Sequence, residues 1–241
     1  MVVKQVKTWL VQRANASRWR GLQEWAESRR AEFQLHPEGI GFYIDQPGAK
    51  PGPLRVEWGP SQRDYIEGNE LRMRLEMGLS PELQMMVVCR TLMDKLEAAV
   101  FEAYTDTLQT RLDTETPEEM RWLVMFPKFA PPEGRELRER LGFIGVHKDL
   151  LAAWVEGEFG DTLQRVLKEA LPEGVPFLLM CLRGNLYLRV AMPEPELERV
   201  QALVRLLETA AREAHRIQGR IGEAMNWPTT MASTFQSTRP S

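Results

Sequence analysis

Residues 59–69 (GPSQRDYIEGN) separate two runs of alternating apolar and polar side chains, and they bring Gln62, Arg63, Asp64 and Tyr65 together. The flanking runs carry Arg55, Arg72 and Arg74 on their polar side. A guanidinium holds a planar oxyanion through paired N–H donors, and arginine with tyrosine is the composition of interface anchors. Loops on a rigid sheet often carry function. Arg63, Tyr65, Arg72 and Arg74 are therefore the candidate binding residues, as clamps for a small anion or as anchors for a partner. The competing expectation is a solvated face whose arginines pair with Glu57, Glu70 and Glu76, because exposed ion pairs are routine and weak.

Other chemistry-bearing residues form less specific patterns. Asp106, Asp113, Glu115, Glu118 and Glu119, with Lys128 downstream, are residue types a magnesium-dependent phosphodiesterase would need. Glu118 and Glu119 also open a helix, where carboxylates complement the macrodipole, so no metal site is assigned. His36, His147 and His215 lie far apart in sequence, whereas a zinc site needs roughly three or four convergent ligands. The chain has no GxGxxG, GxxxxGK[ST] or GxSxG pattern, and neither a catalytic residue nor a cofactor is assigned. Cys89 and Cys181 sit in apolar surroundings (MMVVCR and FLLMCL). They read as small buried hydrophobes in a reducing cytoplasm, with a bridge between them the lesser alternative.

The elements that must position these residues follow from periodicity. Val3, Val6, Leu10 and Ala14 recur at helical spacing, as do Trp19, Leu22, Ala26 and Phe33. The two stripes lie on different faces, so two helices are expected, with Asn15 or Ser17 capping the second. Strict alternation over 54–58 and 70–77 predicts strands with one buried and one wet face, and 42–45 reads as another short strand. Residues 85–89 fit a buried strand or a helix; the expectation is a strand, then a helix from the capping box at 91–94. Thr107–Asp113 alternates again, and Thr116-Pro117-Glu118-Glu119 opens a helix. Residues 148–171 predict a helix interrupted near Gly157 and Gly160. Residues 177–182 and 186–192 predict a strand pair turning at Arg183-Gly184-Asn185, and 196–216 a final amphipathic helix.

These elements make an α+β protein, with mainly antiparallel sheet packed against helices and an N-terminal helical arm. Residues 1–35 form the arm, 36–129 an α+β lobe, 130–216 a second lobe separate from or continuous with the first, and 217–241 a flexible tail. The arm carries seven cations against three glutamates, a net +4 on a chain of net charge −3. At 241 residues, 43% hydrophobic and 27% charged, the composition is that of a folded domain rather than a disordered chain. The acidic balance argues against a nucleic-acid partner. The N-terminus lacks the apolar core of a signal peptide, and no window is apolar enough to span a membrane. The resulting expectation is a non-catalytic cytoplasmic adaptor or accessory protein, binding a protein partner through the arm or the 59–69 loop. The alternative is a small-molecule or phosphodiester enzyme with an arginine-lined anion site built from Arg63, Arg72 or Arg74. A homo-oligomer is compatible with either.

Overall fold

The computed structural model describes residues 18–37, 40–106, 117–130 and 134–220. Nine strands form one sheet: β1 (Glu32–Leu35), β2 (Phe42–Gln46), β3 (Leu54–Pro60), β4 (Asn69–Glu76), β5 (Met85–Cys89), β6 (Lys128–Phe129), β7 (Leu141–Gly145), β8 (Phe177–Leu182) and β9 (Asn185–Ala191). Their spatial order is β1-β2-β3-β4-β9-β8-β5-β7-β6, every neighbour antiparallel. The helices are α1 (Arg20–Ser28), α2 (Arg90–Asp106), α3 (Glu118–Met125), α4 (Arg135–Arg140), α5 (Lys148–Val155), α6 (Glu158–Glu169) and α7 (Leu197–Gln218). This is the α+β class expected from the alternation.

The C-terminal hairpin fills the centre of the sheet. The chain leaves β4, passes over two strand positions to β5, and only later supplies β8 and β9 to occupy them. Arg183 and Gly184 join those two strands with φ of 51° and 79°. Positive φ at both central residues is the type I′ geometry that matches strand twist. Leu79, in the connection from β4 to β5, donates its N–H to the Gly184 carbonyl at 3.1 Å, which ties that crossing to the turn.

One face of the sheet is apolar from edge to edge. The register aligns Trp58, Leu71, Val190 and Phe177, and in the next row Val56, Met73, Leu188, Leu179, Val87 and Phe143. Helix α7 crosses this face, and Trp154 of α5 donates to the Ala210 carbonyl of α7 at 2.8 Å. Helix α1 covers the β1–β3 corner, where Trp19 meets Phe42 and Trp58 edge-on at 5.4 and 5.7 Å. The opposite face changes character along the sheet. Over β8, β5 and β7 it is apolar and roofed by α2, with Met93 lying over Gly142 and Val88. Over β2, β3, β4 and β9 it is charged, and no described helix covers it.

Several expectations change in the structure. Phe33 belongs to β1 rather than to the helical stripe of Trp19, Leu22 and Ala26. Helix α1 ends at Ser28, Arg30 takes φ 58°, and the chain reverses into a strand that pairs Phe33 with Ile44. A seven-residue spacing fits a helix, but here Phe33 reaches the core by stacking on Phe42 at 5.2 Å. The break in 148–171 falls at residues 156–157, and Gly160 lies inside α6. A Cβ on Gly160 would stand 2.1 Å from the Val155 carbonyl oxygen, so that glycine permits the close approach of α5 to α6. Strand β7, LGFIG, leaves little trace in the sequence, since five residues flanked by charge give little periodicity. Cys89 and Cys181 are both buried and unbridged, as the register places Cys89 near Phe177 and Cys181 opposite Met85. The helix expected from Val3 to Ala14, the caps Asn15, Ser17 and Thr116, the 107–113 alternation and residues 221–241 of the tail lie outside the described residues.

Candidate binding surface

The candidate residues fall into two clusters at one end of the sheet. Strand β3 runs to Pro60 and β4 starts at Asn69, which shortens the loop between them to residues 61–68. Arg63 Nε donates to Glu119 Oε1 of α3 at 2.6 Å, and the Tyr65 hydroxyl donates to the same oxygen. Glu119 is only 3% exposed. Burial works to raise its pKa, but the hydrogen bonds from Tyr65 and Arg63 outweigh it and hold the carboxyl below its ordinary value. Burial and the adjacent Glu119 charge raise Tyr65 well above the usual phenol range. These groups fasten the loop to α3 and fix its path over the end of the sheet. Neither is poised to exchange a proton near neutral pH.

Arg72 and Arg74 lie on the polar face of β4, which no described helix covers. The register sets Tyr43, Glu57, Arg72 and Arg189 in one row across β2, β3, β4 and β9, and Asp45, Arg55, Arg74 and Tyr187 in the next. Glu70 sits at the end of this lattice with its side chain completely buried. Its Oε1 accepts from Arg72 Nη1 at 2.9 Å, Arg189 Nη1 at 2.8 Å and the Gln62 N–H at 2.9 Å. Arg72 also pairs with Glu57 and donates to the Pro60 carbonyl at 2.9 Å. Burial pushes Glu57 upward, yet its hydrogen bond to Arg72, aided by His36 and Arg55, leaves its pKa lowered. Glu70 Oε2 and Arg72 Nε are buried without a hydrogen-bond partner among the described residues.

Toward the open side the pairing loosens. Arg55 Nη1 approaches the two Asp45 oxygens at 3.4 and 3.2 Å, and Arg74 reaches Glu76 at 3.2 Å. The two arginine side chains are 49% and 50% exposed. Arg55 also lies over the Tyr43 ring, 4.6 Å from its centroid. Arg55, Arg72, Arg74 and Arg189, with Gln62, Glu57 and Tyr187, border a cavity of about 170 Å³.

The four candidates therefore separate: Arg63 and Tyr65 converge on Glu119, whereas Arg72 and Arg74 face the cavity. The pairing expected with Glu57, Glu70 and Glu76 is present for Arg72 and Arg74. Sequence reasoning did not single out Arg189, Glu119 as the loop's anchor, or Arg55 as a site residue. Arg189 alternates with Leu188 and Val190, a signal visible in the sequence, but its neighbour across β4 is set by the late-arriving hairpin.

Among the described residues, the acidic cluster does not converge. Glu118 pairs with Arg121 and Arg183 at 2.9 and 2.6 Å, Glu119 turns to the loop, and Lys128 Nζ contacts Glu97 at 2.5 Å. Asp113 and Glu115 lie outside the described residues. Among the described residues, no three His, Cys, Asp or Glu side chains gather where a metal ion could be held. Burial pushes the Cys181 thiol up to about 12, which keeps it protonated and unreactive.

The sequence matches no protein-family model, and no curated protein or solved structure is significantly similar to the chain. No described helix is long and apolar enough to cross a membrane.

Proposed function

We propose that this protein is a non-catalytic cytoplasmic adaptor that binds a protein partner on the polar face of β2, β3, β4 and β9. One observation carries the reading: the described helices roof this side of the sheet over β8, β5 and β7, and no described helix covers the strand-borne lattice of arginine, tyrosine and carboxylate groups beside them. Arginine and tyrosine supply most anchoring energy at protein interfaces, and a strand-borne lattice loses little side-chain freedom on docking. The carboxylates facing the arginines suit recognition better than turnover. Glu57 is held ionised by Arg72, whereas a general acid would need a raised pKa. The 61–68 loop, pinned by Glu119, forms a fixed rim to this face. The described part of the N-terminal arm is a weaker candidate, since Trp19, Leu22 and Ala26 are spent on the core.

The test is capture of partners by the intact protein from its own cells, followed by hydroxyl-radical footprinting of the complex. Protection of Tyr43 and Tyr187 is the expected result. Protection confined to other surfaces would overturn the assignment of the face. Turnover of a phosphodiester or small ester by the purified protein, abolished in Arg74→Ala, would replace the adaptor with the enzyme reading.

A further inference from the structure

We propose that Arg55 and Arg74 form a seat for a carboxylate presented by an acidic segment of the protein partner. This inference rests on the adaptor reading and names the chemistry that its polar face accepts.

The argument begins with register. Arg55 stands directly opposite Arg74, and Arg72 directly opposite Arg189. Like charges in directly opposed positions of an antiparallel pair repel, so a sheet carrying two such pairs side by side needs counter-charge. The inner pair has it: Glu70 Oε1 bridges Arg72 and Arg189 at 2.9 and 2.8 Å, and Glu57 adds a second carboxylate to Arg72. Among the described residues, the outer pair has no shared carboxylate. Arg55 turns to Asp45 and Arg74 to Glu76, each at 3.2 Å. Pairs at such exposure contribute little and exchange readily.

The space between supports the same conclusion. The cavity of about 170 Å³ is bordered by four arginines and, among the described residues, one acid, Glu57. Asp45, Glu70 and Glu76, which pair with these arginines, are not part of that lining, so the groups facing the space are mainly N–H donors, which suit an oxyanion better than a cation. A carboxylate there would accept N–H donors from both outer guanidinia, with Gln62 and Tyr187 at the margin, adding to two exposed contacts one bridge of the kind Glu70 makes for the inner pair. The Tyr43 ring beneath Arg55 holds one guanidinium in place beforehand. The inner pair thus shows, within this same sheet, how a carboxylate resolves an arginine–arginine opposition.

The experiment uses the full chain with nitrogen-15-labelled arginine. Its Nε–Hε resonances are followed during titration with hexaglutamate and, separately, with inorganic phosphate. Saturable shifts of Arg55 and Arg74 with hexaglutamate are expected, at lower concentration than with phosphate, weakened at least tenfold in Arg55→Gln/Arg74→Gln and progressively by salt. Both substituted side chains are exposed, so the variant keeps its fold, and circular dichroism verifies this. Absence of saturable shifts, or equal binding by the double variant, would overturn the seat. Phosphate binding more tightly than hexaglutamate would overturn the acidic-segment assignment in favour of a small phosphorylated ligand. A partner that protects the face but binds the double variant undiminished would overturn the seat alone and leave the adaptor reading standing.

Discussion

Glu119 links the candidate loop to the body of the protein through one carboxylate oxygen, which accepts from both Arg63 and Tyr65. Removing its charge leaves Arg63 without its counter-ion and Tyr65 with a weaker acceptor. Glu119→Gln is expected to lower stability by about 2 kcal/mol at pH 7, the scale of a charged hydrogen bond in a buried setting. The pH dependence has a fixed sign. Glu119 and Glu57 both have folded pKa values below their ordinary 4.5, so the unfolded chain binds more protons between the folded value and 4.5. Their contribution is complete above about pH 4.5 and is lost as pH falls through the folded values. Urea unfolding across a pH series checks this: the gap between wild type and Glu119→Gln narrows on acidification, and a constant gap would refute the role assigned to Glu119. Of the candidate residues, Arg72 and Arg74 were legible as a polar strand face. That Arg63 and Tyr65 instead hold α3 was not legible, because Glu119 lies more than fifty positions away and nothing local signals the contact.

At the scale of elements, alternation proved a sound guide where one face is buried and the other wet. Strands β3, β4 and β9 were visible for that reason, as was the β8–β9 turn. The turn supplies a direct test, since Gly184 combines φ 79° with a Leu79 carbonyl oxygen 2.6 Å from where a Cβ would stand. Gly184→Val is expected to cost about 3 kcal/mol, from left-handed strain together with displacement of the crossing strand connection. Chemical denaturation measures the loss, and an unchanged midpoint would contradict the geometry. Short elements escaped the same reading. Strand β1 has four residues and β6 two, too few to establish a period, and β1 is a strand because β2 offers it a ladder.

On the scale of the whole molecule, the β8–β9 hairpin lies between β4 and β5 and joins the early meander to the later strands. The apolar row from Val56 through Met73, Leu188 and Leu179 to Phe143 crosses that junction without a gap. A shared core of this kind makes local unfolding on either side expensive. A single cooperative transition is therefore expected, with tryptophan fluorescence, near-ultraviolet and far-ultraviolet circular dichroism giving coincident midpoints. Two separated transitions would show that the strands before and after Gly78 fold as independent units. The same continuity explains why the polar face is confined: with α2 roofing the β5 side, the charged face among the described residues lies over β1, β2, β3, β4 and β9.

The amino-acid order alone determined which side chains face oil and which face water along each long strand, because that choice depends on a two-residue period and on burial energies that are local in the chain. It also determined the α+β class and the tight turn at Arg183 and Gly184. Only the tertiary structure decided who meets whom across strands. The opposition of Arg55 to Arg74, the bridge of Glu70 between Arg72 and Arg189, and the grip of Glu119 on the loop all join residues brought together by strand order. That order has the last hairpin of the chain in the middle of the sheet, a placement that completes the common core and that no single stretch of sequence signals.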